Sequence, residues 1–227
     1  MKIKVIIPGL GKPRYALKIA TLRQNLQTLL AKQSAQYAIE VIIFQYDSKN
    51  IMDYIPEFAD RVKVHRGRGI VGEFLHVMTP ARLHGNDYVI ILLDDIVLGS
   101  DFKLDRLIAW KKQHNLDIVS PSLTVESNPG WTYMRQKPYS NYEGFEVRRC
   151  ELFCYLMDMR SYGRYHAYVR KYNPWMWGMD VMLREVMGLR VGLHNKIAVI
   201  HLIKGAAYKY RPDHNPHEDL TKFLSEF

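Results

Sequence analysis

From Asn86 to Leu98 the chain reads Asn-Asp-Tyr-Val-Ile-Ile-Leu-Leu-Asp-Asp-Ile-Val-Leu. An apolar run drives into two adjacent carboxylates, Asp94 and Asp95, and then resumes. Val89 to Leu93 offers no polar residue on either alternating face, which predicts a strand covered on both sides. Two carboxylates at the end of such a strand are costly to bury unless something positive meets them. A divalent cation is one solution, and at the end of a central strand it points to chemistry on a phosphate-bearing substrate. A solvated Asp-Asp turn with no ligand fits the same residues.

The first half alternates strand and helix patterns. Strands are expected at Ile3–Ile7, Glu40–Gln45, Arg61–His65, Tyr88–Leu93 and Asp117–Ser120, the last closed by Pro121. Helices are expected over Tyr15–Ala31, where Leu17, Ile19, Leu22, Leu26 and Leu29 recur at helical spacing, over Ile51–Phe58, over Val71–Leu83 with Pro80 bending or ending it, and over Phe102–His114. This order predicts an α/β fold with a mostly parallel central sheet flanked by helices, whose ligands bind beyond the carboxyl ends of the strands. The second half is richer in loops. Ser122–Gly144 reads as loop with room for one hairpin, Phe145–Met157 as extended chain, Ser161–Lys171 and Met179–Met187 as helices and Ile197–Ile203 as a last strand, with a polar tail after Gly205. No repeat or linker divides the chain, so a single domain is expected.

With 48% hydrophobic and 12% aromatic residues in 227, the chain can build a substantial core. No apolar run is long enough to span a bilayer, and Met1–Ile7 is too short for a signal peptide, so the expectation is a soluble, intracellular protein. Cys150 and Cys154 lack partners at zinc-finger spacing and read as buried thiols. A net charge of +9 fits nucleic acid, a membrane surface or anionic small molecules. The Lys and Arg are spread along the chain, which argues against a nucleic-acid partner unless a patch assembles in the fold.

Four strand ends supply candidate site residues: Pro8-Gly9-Leu10-Gly11, Gln45-Tyr46-Asp47, Arg66-Gly67-Arg68-Gly69 and Asp94-Asp95. Gly9-Leu10-Gly11 lacks the third glycine of a dinucleotide fingerprint, and no phosphate-loop Gly-Lys-Ser/Thr occurs. Arg66 and Arg68 could grip phosphate or form a basic surface turn. In Trp177-Gly178-Met179-Asp180 a carboxylate follows a Trp-rich run. Asp180 could be a general base raised by burial or an acid favoured by a helix start. His201 falls near a strand end beside Lys204. A carboxylate plus an imidazole suits Mn²⁺ somewhat better than Mg²⁺.

In order and spacing these segments resemble the GT-A-fold glycosyltransferases, most closely the small glycosyltransferase domains of large algal viruses and related plant proteins. Leu92-Leu93-Asp94-Asp95-Ile96 is similar to the family's Asp-X-Asp motif, Trp177-Gly178-Met179-Asp180 to its Trp-Gly-X-Asp segment and Ile200-His201-Leu202 to its late metal-binding His. The likeness runs from Ile3 to about Gly205. The strict motif's first Asp is replaced by Leu93. The resemblance implies a Rossmann-like, GT-A-like single domain, with a nucleotide-sugar half over about 1–121 and a loop-rich acceptor half over about 122–227. It implies transfer from a nucleotide-sugar, a UDP-sugar, to a carbohydrate hydroxyl, with Mn²⁺ or Mg²⁺ on Asp95 and His201. Asp94 would touch the ribose or a metal-bound water, Pro8, Gly9, Asp47, Arg66 and Gly67 would frame the donor, and Trp175 and Trp177 would stack on sugar. Lys204 would neutralise the leaving diphosphate and Asp180 would act on the acceptor hydroxyl. A basic nucleic-acid-binding protein and a metal-dependent phosphoesterase or nucleotidyltransferase are the rival readings.

Overall fold

Strand β4 (Tyr88–Leu92) is buried at every residue because it lies inside a nine-stranded sheet. The computed structural model describes residues 1–10, 15–32, 36–46, 49–67, 69–127, 131–202 and 215–227. Strand β1 (Lys2–Leu10) pairs in parallel with β4 on one flank and with β2 (Ala38–Gln45) on the other. Strand β3 (Val62–Arg66) extends the parallel set beyond β2. The chain thus builds outward from β1 and then returns to place β4 on the opposite flank. That reversal opens a crevice at the carboxyl ends of β1 and β4, the place where open α/β sheets bind ligands.

Helix α1 (Tyr15–Leu30) has neither Gly nor Pro and buries Ile19, Leu22, Leu26 and Leu29 from one face. Ile51–Phe58 forms two short 3₁₀ turns, Ile51–Asp53 and Pro56–Phe58, in place of the expected helix. Proline starts the second turn, where its missing N–H costs nothing. Helix α2 (Val71–Val77) stops before Pro80, which would clash with the carbonyl four residues back. The chain resumes as a separate 3₁₀ turn, Pro80–Leu83, capped by the Thr79 hydroxyl.

Beyond β4 the sheet becomes mixed. The remaining elements are β5 (Ile96–Leu98), α3 (Leu104–Gln113), β6 (Ile118–Leu123), β7 (Gly144–Val147), β8 (Cys154–Asp158), α4 (Met159–His166), α5 (Met179–Met182), β9 (Val191–His201) and α6 (Pro216–Leu224). The strand order is β3-β2-β1-β4-β8-β6-β9-β5, with β7 also on β9. Strand β6 runs through Pro121 where the sequence predicts an end. Its register on β9 shifts between Pro121 and Ser122, and its pairing with β8 covers only Ile118 and Val119. Proline is tolerated at such a bulge. The helix expected over Met179–Met187 keeps only its first turn as α5, and β9 begins well before Ile197. Helix α6 forms in the segment expected to be a polar tail. Cys150 and Cys154 are free and buried, and burial pushes both thiols up to about 12. Among the described residues no helix is long and apolar enough to cross a membrane.

The six-membered ring of Trp110 in α3 packs against two glycines of the β7–β9 pair. A Cβ on Gly192 would lie 2.5 Å from both the Trp110 ring and Leu116, and one on Gly144 2.5 Å from the same ring. Gly192→Ala should therefore overpack this layer and cost about 1–3 kcal/mol. Gly163→Ala, inside α4 with only Pro80 at 3.9 Å, should be neutral or stabilising by up to about 1 kcal/mol. Urea denaturation of the two variants checks the contrast.

Candidate active site

The site begins with one face of α1. Lys18 and Asn25 are seven residues apart and both buried, so they share the face that meets the sheet. β5 is an edge strand paired only with β9, and Asn25 satisfies its outward backbone. The Asn25 amide donates to the Ile96 carbonyl (2.6 Å) and its oxygen accepts from the Leu98 N–H (2.8 Å). Two turns earlier Lys18 Nζ meets Asp94 Oδ2 at 2.6 Å, with side chains only 7% and 12% exposed. Burial drives the Asp94 carboxyl above the usual carboxylate range; Lys18 opposes that rise and the neighbouring Asp95 adds to it.

Asp95 is served by a different element. In the antiparallel β5–β9 pair, Ile96 faces His201, and the Leu202 N–H donates to the Asp95 carbonyl at 3.0 Å. This register brings His201 Nε2 to 3.2 Å from Asp95 Oδ2. The Ser127 hydroxyl accepts from the His201 N–H at 2.9 Å. Burial lowers the basicity of His201, but the Asp95 hydrogen bond and charge, with the charge of Glu151, outweigh it and leave the imidazole above its ordinary value. Asp95 Oδ1 and His201 Nδ1 are buried without a hydrogen-bond partner among the described residues.

These residues fit a divalent cation held partly by its substrate. Two ligands about 2.1 Å from an ion, on neighbouring positions of an octahedron, stand roughly 3 Å apart. The Asp95–His201 separation matches that spacing, and Asp95 Oδ1 is an orphaned buried acceptor. No group of three or more His, Cys, Asp or Glu side chains able to share an ion exists among the described residues. Phosphate oxygens and water would have to complete the shell, as is common for Mg²⁺-type sites.

Leu93, just before the carboxylate pair, lines a cavity of about 540 Å³ with Val71, Glu151, Trp175, Trp177 and Asp180. Its Trp-bearing wall is a loop folded around Asn173. The Asn173 amide donates to the Trp177 carbonyl (2.8 Å) and its oxygen accepts from the Trp177 N–H (3.2 Å). The loop leans on α2, because the Gly72 N–H donates to the Pro174 carbonyl at 2.8 Å and a side chain at Gly72 would overlap the Asn173 carbonyl. Gly178 then turns the chain into α5 at φ +82°, where a Cβ would meet Leu220 of α6 at 2.7 Å. Helix α6 closes the far wall with Leu220 and Leu224, and His217 meets the Trp177 ring edge-on at 5.5 Å. The buried Trp175 indole nitrogen has no hydrogen-bond partner among the described residues.

Asp180 accepts from the Trp131 indole N–H at 3.2 Å. Burial raises its carboxyl above the ordinary aspartate value, while Trp131 and backbone N–H groups hold it back. An acid raised in this way beside a cavity suits proton transfer.

The strand-end residues lie at the carboxyl ends of β1 and β3. Pro8 and Gly9 occupy a register shift at the end of β1, where Gly9 adopts φ +82° and faces Val71 and the Tyr46 ring. The Gly67 N–H donates to the Gln45 carbonyl at 3.0 Å, and Arg66 donates to the Asn50 side chain. The fold therefore brings Asp94, Asp95 and His201 to one corner, and Trp177 and Asp180 to the cavity that Leu93 shares. It correspondingly commits the Asp94 carboxylate, expected to reach ribose or a metal-bound water, to Lys18. Asp47 and Lys204 lie outside the described residues, as do Gly11, Arg68 and His214. Three further side chains belong to the site. Lys18 could have been suspected as a lone cation on an apolar helix face. Glu151 and Trp131 carried no such signal.

The strand order, the switch point and the carboxylates beyond β4 define a GT-A-like fold, the class found in GT-A glycosyltransferases. Among solved structures, S. aureus TarS 1–349, a GT-A glycosyltransferase, aligns with 99% of this chain and 71% of its own at TM-score 0.57 and 13% identity. A197 from STIV aligns with 90% of this chain and 87% of its own at TM-score 0.47 and 14% identity. At such low identity the TarS likeness establishes the fold alone. No family model and no curated protein matches the sequence.

Lys18→Met should leave Asp94 buried without its cation and cost about 3–5 kcal/mol. Lys18→Met/Asp94→Leu should recover most of that loss. Chemical denaturation of the single and double variants measures both, and a double variant no more stable than Lys18→Met would contradict the pairing.

Proposed function

We propose that the protein is a glycosyltransferase that binds a nucleoside-diphosphate sugar, a UDP-sugar, in the β1–β4 crevice and transfers the sugar to a carbohydrate hydroxyl. The observation that carries this reading is the Asp95–His201 pair at 3.2 Å, with Asp95 Oδ1 and His201 Nδ1 unpartnered among the described residues, two positions along the chain from Leu93, which lines a cavity with two tryptophans and Asp180. Asp95 and His201 would hold Mn²⁺ or Mg²⁺. A cation there would offset charge on the diphosphate as it departs.

The chain's own residues supply the rest. Gly9 would let backbone approach the donor closely, and Arg66 and Gly67 are assigned to the donor as well. The indole faces of Trp175 and Trp177 suit the apolar face of a sugar ring, and the orphaned Trp175 N–H can donate to a sugar oxygen. Lys204, three residues after His201, is assigned to the diphosphate, and Asp47 to the nucleoside. Asp180 would accept the proton of the acceptor hydroxyl, held in place by Trp131. A base in that position implies inversion at the anomeric carbon. A two-metal phosphoesterase is disfavoured because Asp94 is spent on Lys18 and no larger ligand cluster stands among the described residues.

Thermal unfolding with a panel of nucleotide-sugars and Mn²⁺ tests the donor. A true donor at about a hundred times its Kd should add about 2.7 kcal/mol of stability. Asp95→Ala should abolish the Mn²⁺-dependent part of that gain. Asp180→Asn should keep donor binding and lose roughly 10²–10⁴-fold in transfer. Full transfer by Asp180→Asn would remove it as the base.

The pH profile gives a second test. The Trp131 indole stabilises the charged form of Asp180, so Trp131→Phe should raise this carboxyl further. The acid limb of kcat should then move to higher pH, with activity lost first on the acidic side. An unmoved limb would show that this carboxylate does not control the rate.

A further inference from the structure

A second concavity, of about 400 Å³, adjoins the cavity through one side chain. It is lined by Trp131, Tyr133, Phe145, Arg148 and Arg149, among others. The Trp131 indole N–H that holds Asp180 projects from a ring that also forms this groove. The Trp131 and Tyr133 rings stack at 6.3 Å and 18°. Arg149 lies over Trp131 at 5.3 Å, and the Tyr133 hydroxyl donates to the Arg149 carbonyl at 2.6 Å. The aromatic platform and the arginines are thus one built unit.

The charge in the groove is only partly offset, by the Asp180 carboxylate that feels Arg149. The one carboxylate lining the groove, Glu146, is engaged by Arg190. Arg148 and Arg149 are exposed and have no ion-pair partner among the described residues. Lys137 adds a third cation, 5.6 Å from the Phe145 ring. Aromatic faces accept the apolar face of a sugar, and guanidiniums match carboxylate, sulfate or phosphate through paired hydrogen bonds.

We propose that this groove is the acceptor site and that its acceptor is an acidic glycan, with a sugar ring on Trp131 and Tyr133 and its anionic groups on Arg148 and Arg149. The assignment of the groove to an acceptor rests on the transferase reading above. The groove's chemistry stands apart from it. Single-stranded nucleic acid would also offer anions and flat rings. A glycan is favoured because the Trp131 ring that forms the groove also holds Asp180, the group placed to take a hydroxyl proton.

The test titrates the full chain with short oligogalacturonate, chondroitin sulfate, neutral dextran oligomers and poly(U), following tryptophan fluorescence. Wild type and Arg148→Gln/Arg149→Gln are compared, with matched thermal unfolding confirming that both fold. An acidic glycan should bind in a salt-sensitive way, more tightly than dextran or poly(U). The double variant should weaken it by about tenfold or more, since hydrogen bonds to charged groups are the strong ones. Donor-induced stabilisation should be unchanged. The uronate and sulfate arms identify which anion the arginines read. Equal binding of dextran, or acidic-glycan binding untouched by the double variant, would overturn the proposal, and so would tighter binding of poly(U). Arginine-dependent glycan binding without transfer from any donor would overturn the transferase reading and leave the groove's glycan chemistry standing. Transfer with no preference for acidic acceptors would overturn the groove assignment alone.

Discussion

Two adjacent carboxylates at the end of a strand buried on both faces must each find a counter-charge, and they find it in opposite directions. Asp94 meets Lys18 of α1, and Asp95 meets His201 of β9. Neither contact is local, since 106 residues separate Asp95 from His201. The helix must dock with its Lys18–Asn25 face on β5, and β9 must pair with β5 in the register that sets Ile96 opposite His201. A slip of one residue would turn His201 to the other side of the sheet. The electrostatic need of one short segment thereby ties the first helix and the last strand to the sheet's switch point.

That division of labour gives the two aspartates different chemistry. Asp94 Oδ2 is held by a buried lysine. Asp95 retains an unpartnered oxygen beside the cavity. The cavity's reactive wall is assembled with comparable constraint. Asn173 folds the Trp loop, Gly72 lets it approach α2, and Gly178 reverses the chain where a side chain would strike α6. Phe223 is fully buried, and Glu226 pairs with Arg170 and Tyr172, so α6 is fixed as a wall of the cavity. Asp180 then sits between two concavities, lining one and held by the tryptophan that lines the other.

Much of the first half of the chain was legible because its signals are local. The buried run of β4, the helical spacing of α1 and the breaking power of Pro80 all act within a few residues. The errors fall where tertiary context overrides local preference. Pro121 looks like a strand end, yet a bulge absorbs it. Gly192 weakens the strand pattern of Val191–Leu193, and the same glycine is what admits Trp110. Helix α6 carries local signals of its own: Asn215 caps it, Pro216 opens it, and Glu218 and Asp219 occupy its first turn.

The sequence alone determined that a central strand ends in two acids, that a Trp-rich turn precedes a third, and that a histidine lies near the end of the last strand. Those facts follow from residue order. Only the tertiary structure decided which acid is neutralised by a lysine and which faces an imidazole, because both partners come from distant segments whose docking depends on packing and register. It also decided that Trp131, in a stretch read only as loop, supports Asp180 and joins the cavity to a basic aromatic groove. A hydrogen bond across 49 residues leaves no trace in spacing or composition.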